Sequence, residues 1–312
     1  MSKSRFVLVV THTAREEAIA AAAVTFEQMI AGGITPVISA TDLADFKKIT
    51  TDNLLAQVIG KLKTLEVDCQ ISELELVVVL GGDGTILKAA EIVRDHSIPL
   101  MGINLGHVGF LAESEREEFT EAVRRVLDHD YEIKERLTLE VAVFVDGKEV
   151  FRTWALNEAT VEKNARERML EVVLEIEGHP LSSFGCDGVV ISTPTGSTAY
   201  AFSAGGPVVW PSVEALLVVP LSAHALFARP LVVKPDAMVA VEVLQRSAGH
   251  GILWCDGRRS WELPPGARVE VTKSSQPVKL ARLRTSTFTD RLVNKFSLPV
   301  SYTHLTLPTN RE

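Results

Sequence analysis

The stretch LELVVVLGGDGTILKAAEIVRDH (74–96) decides the fold. Residues 74–80 are an almost unbroken apolar run, as in a strand covered on both faces of a parallel sheet. The run enters a glycine-rich turn, GGDGT, and then a helix, ILKAAEIVRDH. Upstream, RFVLVVTHTAREEAIAAAAVTFEQMIAGG (5–33) reads the same way. It gives a buried strand at 6–10, Thr13 as an N-cap, an Ala-rich helix, and Gly32-Gly33 as its stop, before a second strand at 34–39. A strand–helix–strand unit implies parallel pairing. Residues 41–73 are ambiguous, with a helix expected near 54–65. Downstream, IPLMGIN (98–104) is another buried strand, followed by LGHVGFL. A charged helix is expected over about 115–128, with Phe119, Val123, Val126 and Leu127 on one face.

The periodicity changes after about residue 131. Leu137, Leu139, Val141, Val143 and Val145 alternate with their neighbours, and Asp146-Gly147 then reads as a hairpin turn. Leu170, Val172, Leu174 and Ile176 alternate with Glu171, Glu175 and Glu177, and similar runs recur at 239–243 and 269–271. The expected organisation is an α/β domain with a parallel sheet over 1–131 and a mostly β domain over 132–282. The tail SYTHLTLPTNRE (301–312) continues neither pattern and is expected to be a non-native or disordered extension without function.

Composition sets the outer bounds. Of 312 residues, 46% are hydrophobic and 23% charged, which is globular usage. The formal net charge of −8 argues against a nucleic-acid partner, whose phosphates need a basic face. A local pocket on such a protein can still be positive and hold a small anion. Cys69, Cys186 and Cys255 are odd in number and lack metal-ligand spacing, so they read as buried thiols in a reducing compartment. The run at 6–10 is too short for a signal sequence and no stretch has the length of a membrane span. A soluble, cytoplasmic protein with no membrane partner is the expectation.

A glycine-rich junction between a buried strand and a helix suits phosphate, because amides approach closely and the helix N-terminus favours anions. The loop Gly81-Gly82-Asp83-Gly84-Thr85 is neither a Walker A nor a Rossmann motif. Asp83 is the informative residue. A carboxylate inside a phosphate cradle repels its ligand unless it binds a metal or accepts a proton, which makes it a candidate base. The alternative is that Asp83 or Thr85 only caps the helix. Lys88, one turn on, either leans toward the same phosphates or lies on a solvated face.

Four segments together resemble the NAD kinase family, and most of all its actinobacterial members. They are GGDGT (81–85), NLGHVGFL (104–111), Asn157-Glu158, and DGVVISTPTGSTAYAFSAGGP (187–207). GGDG alone also resembles phosphofructokinases and lipid kinases; all four in this order are specific. The resemblance covers about 5–300. It implies an N-terminal α/β domain and an all-β, sandwich-like C-terminal domain, with a last strand, about 283–300, returning to the first. It implies a site between the domains with Asp83 as general base and Gly84 touching NAD. By the same resemblance Asn157, Glu158, Asp187 and the run Thr198, Ala199, Tyr200, Ala201, Phe202 and Ser203 bind NAD, and Arg168 does so at a position of variable identity. Homodimers or homotetramers are implied. His107 sits at a variable position of its motif and is given no role.

The residue chemistry agrees. Asn157 offers donor and acceptor and Glu158 two acceptors, suited to an adenine edge or a ribose diol. Adjacent strand residues point to opposite faces, so both reach one ligand only where a strand ends or bends. Around the breakers Pro194 and Gly196, hydroxyls supply hydrogen bonds without fixed charge, and Tyr200 can meet a ring. A Ser/Thr-rich turn is the alternative. His224 reads as structural, and Asp256-Gly257 as a hairpin turn, with a ligand contact as its alternative. The expected reaction is phosphoryl transfer from ATP or inorganic polyphosphate, with a divalent metal such as magnesium, to the 2′-hydroxyl of the adenosine ribose of NAD. A lipid or sugar kinase and a non-catalytic dinucleotide sensor are the competing readings.

Overall fold

Strands and helices alternate first: β1 (Arg5–Thr11), α1 (Glu16–Ala31), β2 (Ile34–Ile38), α2 (Ala40–Phe46), α3 (Asn53–Val58), β3 (Lys63–Thr64), β4 (Leu74–Leu80), α4 (Asp83–Val93), β5 (Leu100–Ile103) and α5 (Phe119–Leu127). Strands then dominate: β6 (Glu132–Arg136), β7 (Leu139–Val145), β8 (Lys148–Ala155), β9 (Glu158–Lys163), β10 (Leu170–Ile176), β11 (His179–Cys186) and β12 (Gly188–Ser192). After the short helix α6 (Tyr200–Ser203) come β13 (Leu216–Leu221), β14 (Leu231–Val233), β15 (Val239–Val243), β16 (Gly251–Cys255), β17 (Arg259–Leu263), β18 (Arg268–Lys273), β19 (Val278–Arg282) and the helix α7 (Phe288–Phe296). This computed structural model describes residues 5–49, 53–105, 109–112, 119–165, 168–225, 228–283 and 287–299; His107 and the 301–312 tail lie outside them.

The first sheet runs β3-β2-β1-β4-β5-β19-β6. It is parallel from β3 to β19, and β6 is antiparallel at its edge. The unbroken apolar runs have a direct cause here. Val7, Val9, Leu76, Val78 and Leu80 pack with Ile19, Phe26, Leu55 and Val123 on one face. Leu8, Val10, Val77 and Val79 pack with Ile86, Leu87, Ala89 and Ala90 of α4 on the other. Each large side chain so buried contributes about 1.5–3 kcal/mol.

The second body is a β-sandwich of two antiparallel six-stranded sheets, β11-β10-β15-β18-β7-β8 and β14-β13-β12-β9-β16-β17. The alternating residues Val141, Val143, Val172, Val241, Val269 and Val271 meet Ala159, Val161, Val189, Ile191, Val218 and Leu253 in one core. Alternation of this kind puts every second side chain between the sheets. Cys69, Cys186 and Cys255 are buried free thiols. Among the described residues no helix is long and apolar enough to cross a membrane.

Several elements depart from the sequence expectations. The first helix begins at Glu16, with Arg15 at the cap position and no side-chain cap. Thr13 instead donates its hydroxyl to Asp45. The helix expected at 54–65 is α3 followed by a 3-10 turn, Ile59–Lys61, where Gly60 weakens helical continuation. The returning strand is β19, not 283–300. Residues 288–296 are helical because Thr287 and Asp290 form a capping box, each accepting the other's backbone N–H. Because β6 also joins the first sheet, the chain leaves that sheet only after Arg136 and re-enters it at Val278.

Candidate active site between the two bodies

β4 delivers the chain to Gly81, where there is no room for a side chain: a Cβ would lie 2.7 Å from Thr85 Oγ1. Gly82 holds the cap position of α4 without any side-chain cap, so neither Asp83 nor Thr85 serves in that way. Asp83 is the first helical residue, and its carboxylate reaches across to the NLGHVGFL segment. Oδ2 accepts the Phe110 N–H at 3.2 Å and Oδ1 the Leu111 N–H at 3.1 Å. Gly109 makes that possible, since a Cβ there would stand 2.6 Å from Asp83 Oδ1. The two motifs are thus parts of one device, in which the second holds the carboxylate of the first.

On the other side of the loop lies a cleft of about 980 Å³ lined by Gly81, Gly82, Gly84, Thr85 and Lys88. The amides of Asp83 and Gly84 belong to the first turn of α4, where no intrahelical acceptor exists, and the helix end attracts anions. His12, Arg15 and Arg258 also line the cleft, together with Glu16, Glu17 and Asp42. Lys88 Nζ stands 3.7 Å from Asp42 Oδ1. Basic and acidic side chains thus share the cleft at the phosphate loop. Arg258 comes from the sandwich, so both bodies contribute.

Asp83's partners Phe110 and Leu111 line a small hollow with Thr195 and Thr198 of the TPTGSTAY segment. The two motif groups therefore meet through Phe110 and Leu111. Here β8 ends at Ala155 and β9 begins at Glu158, so the chain turns at Leu156 and Asn157. Leu156 is buried in the first body's core beside Ile86 and Leu111. Asn157 O accepts from Thr193 N at 2.9 Å and Ser192 Oγ at 3.1 Å. Gly196 is needed for this approach, because a Cβ there would collide with the Asn157 carbonyl.

Glu158 is 7% exposed. Burial, and then the nearby charge of Asp256, pushes its carboxyl up to about 8, against the pull of the Tyr200 N–H. Its Oε2 is buried without a hydrogen-bond partner. Tyr200 is 39% exposed, and its hydroxyl is raised by burial and by Glu162, Glu158 and Asp187. Ala201 is buried against Val190 and Val219, which fixes α6 on the sheet, and leaves Phe202 and Ser203 exposed. Ala199, half-buried, links the 3-10 turn Gly196–Thr198 to α6.

Asp187 lies just before β12, still close enough for its charge to act on the Tyr200 hydroxyl, and Arg168 lies on the surface. Ser192 pairs with Glu158 and Gly188 with Glu162, so Asp187 stands one residue beyond the far end of that pairing, about 16 Å along the strand from Ser192. Lys163 Nζ lies 2.5 Å from its carboxylate and holds it below the usual range, with help from Ser222 and His224. His224 itself pairs through its backbone with Gly185. Arg168 donates to Ala248 O at 2.7 Å on the surface.

Two features were not foreseen in the sequence. α7 brings Phe288 and Phe296 to 5.9 Å from the Phe110 ring, Phe296 to 4.6 Å from Phe202, and Phe288 to 5.1 Å from Trp210. It thereby packs both motif segments under one helix. Asp256 forms the expected hairpin turn with Gly257, yet its carboxylate is buried and accepts the N–H groups of Leu156, Asn157 and Glu158.

Comparisons with known proteins bear on both bodies. The model of the ATP-NAD kinase N-terminal domain matches residues 7–131 and that of the ATP-NAD kinase C-terminal domain residues 156–283. An NAD kinase of Leifsonia xyli subsp. xyli is 58% identical over 301 residues, 96% of this chain and 97% of its own. One from Thermobifida fusca is 54% identical over 302 residues, 96% of this chain and 91% of its own. Among solved structures, yeast NADH kinase complexed with NADH superposes with a TM-score of 0.83 at 21% identity, over 97% of this chain and 90% of that one. An NAD kinase from Archaeoglobus fulgidus in complex with ATP gives 0.69 at 22%, over 95% and 100%. These two likenesses bear on the fold.

Proposed function

The chain belongs to the NAD kinase family, and from that premise we propose how its own residues phosphorylate NAD. The enzyme transfers a phosphoryl group to the 2′-hydroxyl of the adenosine ribose, giving NADP. The donor, ATP or inorganic polyphosphate, lies in the cleft with its terminal phosphate at the first turn of α4. His12, Arg15, Lys88 and Arg258 neutralise its charge from the walls. NAD lies on the opposite side of Asp83, against Thr198 to Ser203 and the Asn157-Glu158 turn. Asp187 and Arg168 contact it away from the reacting ribose, with Lys163 balancing the Asp187 charge.

The observation that carries this reading is the hold on Asp83: it opens the helix whose first turn lines the cleft, and its two oxygens accept from Phe110 and Leu111, which line the Thr195–Thr198 hollow. Each oxygen keeps a further lone pair. Asp83 takes the proton of the attacking hydroxyl as the oxygen–phosphorus bond forms and the shortened donor leaves. Phosphoryl transfer has a loose transition state, so orienting the hydroxyl counts as much as removing its proton. Glu158, holding its proton near neutral pH, donates a hydrogen bond to an acceptor on the ligand.

A divalent metal such as magnesium would accompany the donor phosphates at the Gly81–Thr85 loop. It would supply charge neutralisation to the phosphates. Among the described residues no group of three His, Cys, Asp or Glu is placed to hold a metal ion. A cytoplasmic homodimer or homotetramer completes the proposal. The test is NADP formation from NAD and magnesium with ATP or polyphosphate, beside Asp83→Asn. Product that disappears in the variant supports the reaction and the base. Folded wild type that binds NAD without turnover under either donor would make the protein a sensor, and activity on a lipid or sugar alone would replace the acceptor.

A further inference from the structure

Asp256 lies in none of the four motif segments, yet it is the most heavily coordinated carboxylate beside the site. It opens the β16–β17 turn with φ 55°, followed by Gly257 at φ 63°. Aspartate is among the few residues that tolerate this left-handed geometry. The turn aims the carboxylate inward, where it is 1% exposed. Leu156 N donates to its two oxygens at 2.9 and 3.1 Å, Asn157 N at 2.7 Å and Glu158 N at 3.4 Å. Those three consecutive amides belong to the turn that presents Asn157 and Glu158. Leu156 and Asn157 lie between β8 and β9, outside both strands, and a buried amide without a partner costs about 1–3 kcal/mol.

The same hairpin is fastened to the first body. Arg259 Nη2 lies 2.7 Å from Asp256 Oδ2, and its Nη1 lies 3.2 Å from Glu91 Oε1. Its guanidinium sits 4.5 Å over the Trp154 ring. Arg258 donates to both Glu91 oxygens, at 3.0 and 2.9 Å. Glu91 is on α4, the helix that begins with Asp83. A continuous polar path therefore runs from the backbone of 156–158 through Asp256, Arg259 and Glu91 to the helix of the phosphate loop.

We propose that Asp256 is a positioning residue for the dinucleotide: it sets the backbone of Asn157 and Glu158 and, through Arg259 and Glu91, fixes that turn relative to the helix carrying Asp83. The inference rests on the reading of Asn157 and Glu158 as NAD contacts. Glu91 touches neither of them, so any effect of its substitution on NAD affinity travels through the hairpin. An amide at position 256 keeps one acceptor but turns a donor toward the three N–H groups, which displaces the turn by a fraction of an ångström or more. Misplacement of about 1 Å is enough to cost up to about 10²-fold in a positioned reaction.

The experiment measures the NAD dissociation constant by calorimetry, and KM and kcat for NAD, in the full-length wild type, Asp256→Asn, Glu91→Gln and the double variant, with folding checked by circular dichroism. NAD binding is expected to weaken about tenfold in Asp256→Asn and about threefold in Glu91→Gln, with KM rising in step. The double variant is expected to be no weaker than Asp256→Asn alone, since both cut one path. A folded Asp256→Asn with wild-type NAD affinity overturns the proposal, as do effects that multiply in the double variant. If Asp256→Asn does not fold, Glu91→Gln and Arg259→Lys decide, and wild-type affinity in both overturns it. Wild type that fails to bind NAD overturns the site assignment and this inference together, whereas wild-type binding with unchanged variants counts against the positioning role alone.

Discussion

Asp83 and Asp256 are held by the same means, main-chain amides of a segment far away in sequence, but to different ends. Asp83 is half-buried at the start of α4 and accepts two N–H groups. Asp256 is buried at a hairpin tip and accepts three, with Arg259 beside it. Burial pushes the Asp256 carboxyl up, and the backbone donors and Arg259 pull it back. The first carboxylate is half-buried with one N–H on each oxygen; the second is 1% exposed and spends its lone pairs on the protein. Coordination by amides therefore marks a fixed carboxylate, and only the remaining exposure tells chemistry from scaffolding.

The comparison breaks most visibly at Asp83. Asp83→Asn is expected to lower kcat by about 10²–10⁴-fold while leaving the thermal midpoint near wild type. A small drop in kcat, or a large drop in stability, would put Asp83 in the same class as Asp256. Asp256→Ala is expected to do the reverse, removing a buried charge from Arg259 and three amides and lowering unfolding free energy by about 3–5 kcal/mol. Urea denaturation reads it, and a wild-type midpoint would sink the scaffolding role.

Glu158 sharpens the contrast through pH. Its folded value of about 8 lies above the ordinary 4.5, so the folded protein keeps a proton that the unfolded chain releases. Stability from this group therefore falls as pH rises between those two values and is level outside them. Glu158→Gln removes the dependence, and the variant's stability advantage is expected to grow to a few kcal/mol above pH 8. Parallel curves for variant and wild type would mean a carboxylate that is ionised in the fold. The smallest expected effect is at Gly109, where a methyl group would press on Asp83 Oδ1. Gly109→Ala is expected to lower kcat about tenfold with KM for NAD unchanged, and an equal change in both would move Gly109 to the binding surface.

Much of this architecture was legible because burial on both faces leaves an unbroken apolar run. Residues 6–10 and 74–80 announced the parallel sheet, and the alternation from 137 on announced the sandwich. Asp83 was legible because a carboxylate in a phosphate loop needs a reason. Its bond to Phe110 and Leu111 was not, since nothing local says which amides a side chain will meet. α7 was misread as a strand because the capping pair Thr287 and Asp290 outweighs a short apolar stretch. Asp256 was read as a turn residue, which it is, while its buried bonds depend on the turn at 156–158 a hundred residues earlier. Periodicity reports faces of elements, and these contacts lie between elements.

β19 has a consequence for how the molecule is made. It sits between β5 and β6, so β6 has no neighbour in its sheet until residues near 280 arrive. On a ribosome adding about 5–20 residues per second, that edge waits on the order of ten seconds while the whole sandwich emerges. During that interval β5 presents a bare strand edge, a template for pairing with other chains. A nascent chain stalled before Val278 is thus the form expected to draw chaperones, and the last strand to emerge completes the sheet that the first strand began.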